Sequence, residues 1–221
     1  MKSSDTKEVL TIALKLLIIC SIVAAIIAFV NAITKDKIEY NNKVKTALAL
    51  SEIYSEEFGG KSFEVNENEY IIKDGDAVIA SCISAECNFI NDDINALYVL
   101  NDSEGNNAGY CVSISPMGFK DVINMLVAVN DDFTVKDVKI VSMSETSGYG
   151  TRAIEDANPP AGKEGSHWFL NQFLGRDEET AGNVDIISGA TKSSKPIIGA
   201  VKTALGQVNV YSNSIGGASN E

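Results

Sequence analysis

The sequence predicts an α+β protein: an N-terminal transmembrane helix followed by a mixed-sheet domain with flanking helices. Three observations carry this. A long uncharged apolar run lies near the N-terminus, "LLIICSIVAAIIAFVNAIT" at residues 16–34. A series of short segments rich in β-formers follows, each closed by polar turn residues. Helical patterns bracket those segments without the regular strand–helix alternation of a doubly wound sheet.

The apolar run has 19 residues, close to the ~20 that cross a hydrocarbon core of ~30 Å. Upstream, Lys15 is placed to snorkel to the headgroups. A cleaved signal peptide is the competing reading, because Val30-Asn31-Ala32 resembles a small-residue cleavage site. Signal h-regions span only about 7–15 residues, so an uncleaved anchor over residues 1–34 is expected. Lys2, Lys7 and Lys15 on one side and Lys35, Lys37, Lys43 and Lys45 on the other leave the orientation undecided.

Beyond the anchor, Ile38, Val44, Leu48, Ile53 and Phe58 recur at near-helical spacing, and Gly59-Gly60 ends the pattern. Residues 35–60 are therefore expected as a helical stalk or opening helix. Strand-like runs come next: "SFEV", "EYIIKDG", "AVIASCI", "ALYVLND", "NAGYCVSISPMGF" and "INMLVAVNDDFTVKDVKIVSM". In the last of these, Asn130-Asp131-Asp132 reads as a hairpin turn. "GSHWFLNQFLG" carries Trp168, Phe169, Phe173 and Leu174 at helical spacing, and a final helix starts near Pro196, with Ile197, Ile198, Val201, Leu205 and Val208 on one stripe. The folded domain is expected over residues 61–210 and a disordered tail over 211–221.

The 221 residues carry a net charge of −12 and a pI near 4.6, which excludes nucleic acid, whose phosphates need clustered Lys and Arg. Residues 35–221 hold 15 basic against 28 acidic groups, so the domain stands off an anionic lipid surface. Arg152 and Arg176 are the only arginines and His167 the only histidine; His167 suits an exposed or capping position. Cys20, Cys82, Cys87 and Cys111 lack the paired spacing of a zinc site. Cys82 and Cys87 read either as a disulfide or as two buried thiols. There is no dinucleotide fingerprint and no Walker-type loop.

The stretch "DIISGATKSSKP" turns the chain from a strand-like run into the last helix. It puts Thr191 just before a helix N-terminus, where free amides and the helix dipole favour a phosphate. Gly189 lets the backbone turn and approach a ligand closely, and Ser188, Ser193 and Ser194 add hydroxyls. Ordinary helix capping uses the same residue types.

Asp185-Ile186-Ile187-Ser188-Gly189-Ala190-Thr191-Lys192-Ser193 resembles the D-x-x-S-G-A-T-x-S/T flavinylation motif of FMN-binding domains. Glu145-Thr146-Ser147-Gly148-Tyr149-Gly150 resembles the second motif of that family, E-T-P-G-L-G, with Ser147 in place of Pro and Tyr149 in place of Leu. Gly109-Tyr110 matches a G-Y/F element, and Trp168 with Phe173 an aromatic one; order and spacing agree over roughly residues 107–207. With the N-terminal anchor, the layout resembles the G subunits of Rnf ion-translocating ferredoxin:NAD⁺ oxidoreductases. The C subunits of sodium-translocating NADH:quinone oxidoreductases are close relatives.

The resemblance implies FMN held by a phosphoester to Thr191, with Ser188, Gly189, Ala190, Lys192 and Ser193 at the phosphate. It places Glu145, Thr146, Gly148 and Tyr149 at the isoalloxazine ring. It implies an electron-carrying subunit of a redox-driven ion pump with no independent active site. Its partners would be the other membrane and peripheral subunits, a flavin transferase during maturation, and the lipid bilayer. It also implies a single-pass protein of the cell membrane, N-terminus cytoplasmic and flavin domain extracytoplasmic. The alternatives are a component of the quinone reductase like its C subunit, a free-standing anchored flavin reductase, and an adhesion or assembly domain whose corner is only a cap. Trp168 and Phe173 are equally the kind of residues that fill a core.

Overall fold

The computed structural model describes residues 3–58, 62–65, 69–74, 77–145, 151 and 167–217. The chain divides into two compact units, residues 1–44 and 45–221. The described residues of the first belong to α1 (Ser3–Phe58). It contains a stretch long and apolar enough to cross a membrane, none of which is buried within the structure.

The second unit holds the end of α1 and a seven-stranded sheet in the order of the chain. Its strands are β1 (Ser62–Val65), β2 (Glu69–Asp74), β3 (Ala77–Ser84), β4 (Ile94–Asp102), β5 (Asn107–Ile114), β6 (Ile123–Val129) and β7 (Val135–Met143). Among the described residues, two helices follow, α2 (Trp168–Asn171) and α3 (Thr191–Gly217). The α+β class is as expected, but the sheet is antiparallel at every pairing rather than mixed. The reason lies in the connections. Consecutive strands joined by short turns can only reverse direction, whereas a parallel pair needs a crossover of a dozen or more residues. The Asn130–Asp132 turn forms as expected, with the Asn130 N–H donating to the Thr134 carbonyl at 2.9 Å.

Alternation along the strands splits the core into two layers. Tyr110, Val112 and Ile114 of β5 and Ile123, Met125, Val127 and Val129 of β6 face one way, onto α2 and α3. Cys111 of β5 and Leu126 and Ala128 of β6 face the other way, onto Leu50 and Ile53 of α1. The sheet is thus covered on both faces, and Lys139 of β7 pairs with Glu52 of α1 at 3.3 Å. Trp168 and Phe173 are buried in the α3-side core, the packing role that aromatic residues of this spacing often take.

Two boundaries differ from the sequence reading. Helix α3 starts at Thr191 rather than near Pro196, because the Ala190 carbonyl accepts from the amides of Ser193 (3.1 Å) and Ser194 (2.9 Å). Pro196 then lies inside the helix and offers no N–H to the Lys192 carbonyl. Burial of Ile197, Val201, Ala204, Leu205 and Val208 outweighs that loss. The expected tail from 211 is instead the last part of α3 as far as Gly217, because Tyr211 still packs on the core, edge-on to Tyr110 at 6.2 Å.

The cysteines are free thiols. Cys82 faces the α1-side core, while Cys87 lies against the α3-side core, where Gln207 Nε2 donates to its sulfur at 3.7 Å. Opposite faces of the sheet keep the two sulfurs apart, which settles the choice between disulfide and thiols.

Candidate flavin-phosphate site at the start of the last helix

The corner before α3 is built from its own residues. The Ala190 N–H donates to the Ile187 carbonyl at 3.0 Å, closing a turn in which Gly189 has φ 77°. That left-handed conformation suits glycine. The buried Ser194 side chain fastens the same turn. Its hydroxyl donates to the Ala190 carbonyl (2.9 Å) and accepts from the Ile187 amide (3.2 Å). Among the described residues, the amides of Thr191 and Lys192 have no protein acceptor. They are the first two orphan donors of the helix, and Thr191 is half-buried beside them.

Ser193 directs its donor to a protein partner. Its hydroxyl donates to Glu145 Oε2 at 2.6 Å, buried from solvent. Glu145, only 7% exposed, also accepts the Lys120 amide at Oε1, at 3.0 Å. Burial alone would raise the Glu145 pKa. The Ser193 hydroxyl and the backbone amides of Lys120, Asp121 and Phe119 outweigh that penalty and hold it below its ordinary value. The side chain is therefore a carboxylate gripping two segments, the start of α3 and the loop between β5 and β6. Gly118 makes room for it, since a Cβ there would collide with Glu145 Oε1 and come within 2.8 Å of the Asp121 carbonyl oxygen.

The structure thus joins Glu145, Ser193, Gly189, Ala190, Thr191 and Lys192 at one corner, with Ser188 exposed on the same turn. Thr146, Gly148 and Tyr149 lie outside the described residues. His167 is exposed, as expected, with φ 56° at the start of α2. Sequence reasoning missed the 118–121 loop, which is remote in the chain from the corner. Lys192 Nζ lies 5.0 Å from the Phe119 ring centroid. Among the described residues, no group of His, Cys, Asp and Glu is placed to hold a metal.

The donor set fits a phosphate ester: two free amides at a helix start, a glycine turn, a lysine and a hydroxyl nucleophile or tether at Thr191. The fold is consistent with an α+β FMN-binding domain, and residues 118–206 match the family of that description. The match starts at Gly118, so Gly109-Tyr110 falls outside it. There Gly109 instead serves β5, approaching the Val129 carbonyl so closely that a Cβ would lie 2.7 Å away.

Residues 1–53 match the RnfG N-terminal region, so two separate stretches of the chain carry matches that point to a likeness with Rnf G subunits. It is 24% identical over 213 residues to the G subunit of the ion-translocating oxidoreductase complex of Methanosarcina acetivorans, covering 93% of this chain and 97% of that protein. It is 25% identical over 210 residues to the G subunit of the Na⁺-translocating ferredoxin:NAD⁺ oxidoreductase complex of Acetobacterium woodii, covering 95% and 94%. Against the G subunit of the proton-translocating ferredoxin:NAD⁺ oxidoreductase complex of Clostridium ljungdahlii, identity is 33% over 102 residues, 46% of this chain and 54% of that protein.

Proposed function

We propose that this chain is a membrane-anchored flavoprotein subunit that relays electrons within an Rnf-type ion-translocating complex, with FMN held by a phosphoester to Thr191. The observation that carries the reading is the position of Thr191, the first residue of α3, behind a positive-φ glycine turn and beside two unpaired amides. Similarity along nearly the whole chain to G subunits supports the assignment to the complex.

FMN supplies the redox chemistry when bound; the residues of the chain hold and orient it. Thr191 would hold the FMN phosphate through its side-chain oxygen, in an ester that a flavin transferase would make from FAD by breaking the pyrophosphate bond, releasing AMP and the hydroxyl proton. The diester retains one negative charge, which the start of α3 stabilises by about 0.3–1 kcal/mol. Ser194 and Gly189 keep the turn in shape, and Glu145 fixes the helix start against the 118–121 loop. Ser188, Lys192, Thr146, Gly148 and Tyr149 complete the site in this reading. The apolar part of α1 anchors the domain in the cell membrane, N-terminus inside and flavin domain outside. Tethering keeps the carrier at high local concentration beside its partner subunits.

The test is the intact mass and in-gel flavin fluorescence of denatured full-length protein from its native membrane, alongside Thr191→Ala. A mass increased by FMN less one water, lost in the variant, supports the reading. An unmodified wild-type chain from membranes that contain the transferase reduces the corner to a helix cap.

A further inference from the structure

We propose that the loop between β5 and β6, with Phe119 at its tip, is the platform on which the isoalloxazine ring of FMN on Thr191 rests. The inference builds on the Thr191 attachment proposed above and adds the contact for the ring. Phe119 is 57% exposed and Met117 59%, and Val122 beside them is 37% exposed. Single exposed apolar residues are ordinary. Three within six positions, on one loop, form a patch of the kind that marks a ligand or partner site.

The loop is held in place rather than loosely tethered. Met117 and Val122 form a β-bridge, and the Gly118 amide donates to the Asp121 carbonyl at 2.9 Å. The Lys120 amide is fastened to Glu145, which in turn grips Ser193 of α3. The apolar tip is thereby fixed against the helix turn that bears Thr191. Lys192, the next residue after the attachment point, already reaches the Phe119 ring. A ring system carried on Thr191 by the five-carbon ribityl chain is therefore within reach of the same surface. A flat aromatic ligand matches Phe119 in offset or edge-on contact, and the Met117 thioether adapts to its outline.

The test uses the full-length chain, flavinylated by a co-expressed flavin transferase, with Phe119→Ala and, as a control, Phe89→Ala. Phe89 is an exposed aromatic on the loop between β3 and β4, which is fastened to Gln207 in the second half of α3. Intact mass reads attachment; flavin emission yield and visible circular dichroism read the environment of the ring. All three proteins are expected to carry the FMN mass. Phe119→Ala is expected to shift the ratio of docked to free ring by roughly two- to tenfold, the factor that one aromatic contact is worth, and so to change the emission yield and weaken the visible dichroism, while Phe89→Ala matches wild type. Emission and dichroism unchanged in a flavinylated Phe119→Ala protein, or changed equally in Phe89→Ala, overturn the proposal. A wild-type chain without the FMN mass sinks the attachment reading itself, and this inference with it.

Discussion

Ser193 Oγ donates to Glu145 Oε2 at 2.6 Å across 48 residues of chain, joining the two segments that resemble flavin motifs. The carboxylate also collects backbone amides of the β5–β6 loop. Removing it in Glu145→Ala leaves a buried hydroxyl and the Lys120 amide without their acceptor. The expected cost is about 1–3 kcal/mol, read as a lower denaturation midpoint. Glu145→Gln, which keeps the shape and one acceptor oxygen, should cost less.

The same carboxylate gives a pH dependence whose sign is fixed. Its folded pKa is held below the ordinary value, so its contribution is complete above the unfolded value of about 4.3. It disappears as the pH falls through the lowered folded value. Unfolding free energy measured from about pH 6 down to about pH 3 should fall more steeply in wild type than in Glu145→Gln. Parallel curves would show that Glu145 is not the group responsible.

Gly118→Ala tests the fit between the loop and the carboxylate. The added methyl would meet Glu145 Oε1, the Asp121 carbonyl at 2.8 Å and Ile123 Cδ1 at 3.0 Å. Overpacking of this kind costs about 1–3 kcal/mol. Paired with Glu145→Ala, which removes the clash, the loss should be less than additive; strict additivity would mean that the two do not touch.

Gln207 is fully buried, accepts the Ile90 amide at 2.8 Å and donates to the Asn88 carbonyl at 3.3 Å. Gln207→Leu fills the space but leaves those backbone groups unpaired. We expect faster amide exchange through residues 88–90 and about 1–3 kcal/mol of lost stability.

Thiol reactivity should follow the split of the cysteines between layers. Burial pushes the Cys82 thiol up to about 12 and raises Cys111 as well. Of these three domain cysteines, the half-buried Cys87 should therefore alkylate first at mildly alkaline pH, with Cys82 and Cys111 reacting only on unfolding. Early labelling of Cys82 would contradict the two-layer packing.

Much of the fold was legible because period and punctuation are local properties. Alternation in "NAGYCVSI" and "INMLVAV" marks strands, Asn130–Asp132 marks a turn, and the α3 stripe marks a helix, whatever lies around them. The antiparallel sheet was not legible from composition, because pairing depends on which strands meet. The limits of α3 escaped for a similar reason. Pro196 is a local signal for a helix start, but Ser194 and Ala190 begin the helix one turn earlier, and Tyr211 carries it past the expected end through contacts made only in the folded core.

The sequence by itself determined the apolar N-terminal stretch, the α+β class and the corner at Thr191, because each depends on neighbours along the chain. Only the tertiary structure decided that Cys82 and Cys87 are apart, that Ser193 serves Glu145, and that Gly118 and Phe119 stand beside the corner. Those relationships join residues tens of positions apart, or on opposite faces of one sheet. They come into being when burial of both faces closes the sheet between α1 and α3, and no local pattern records them.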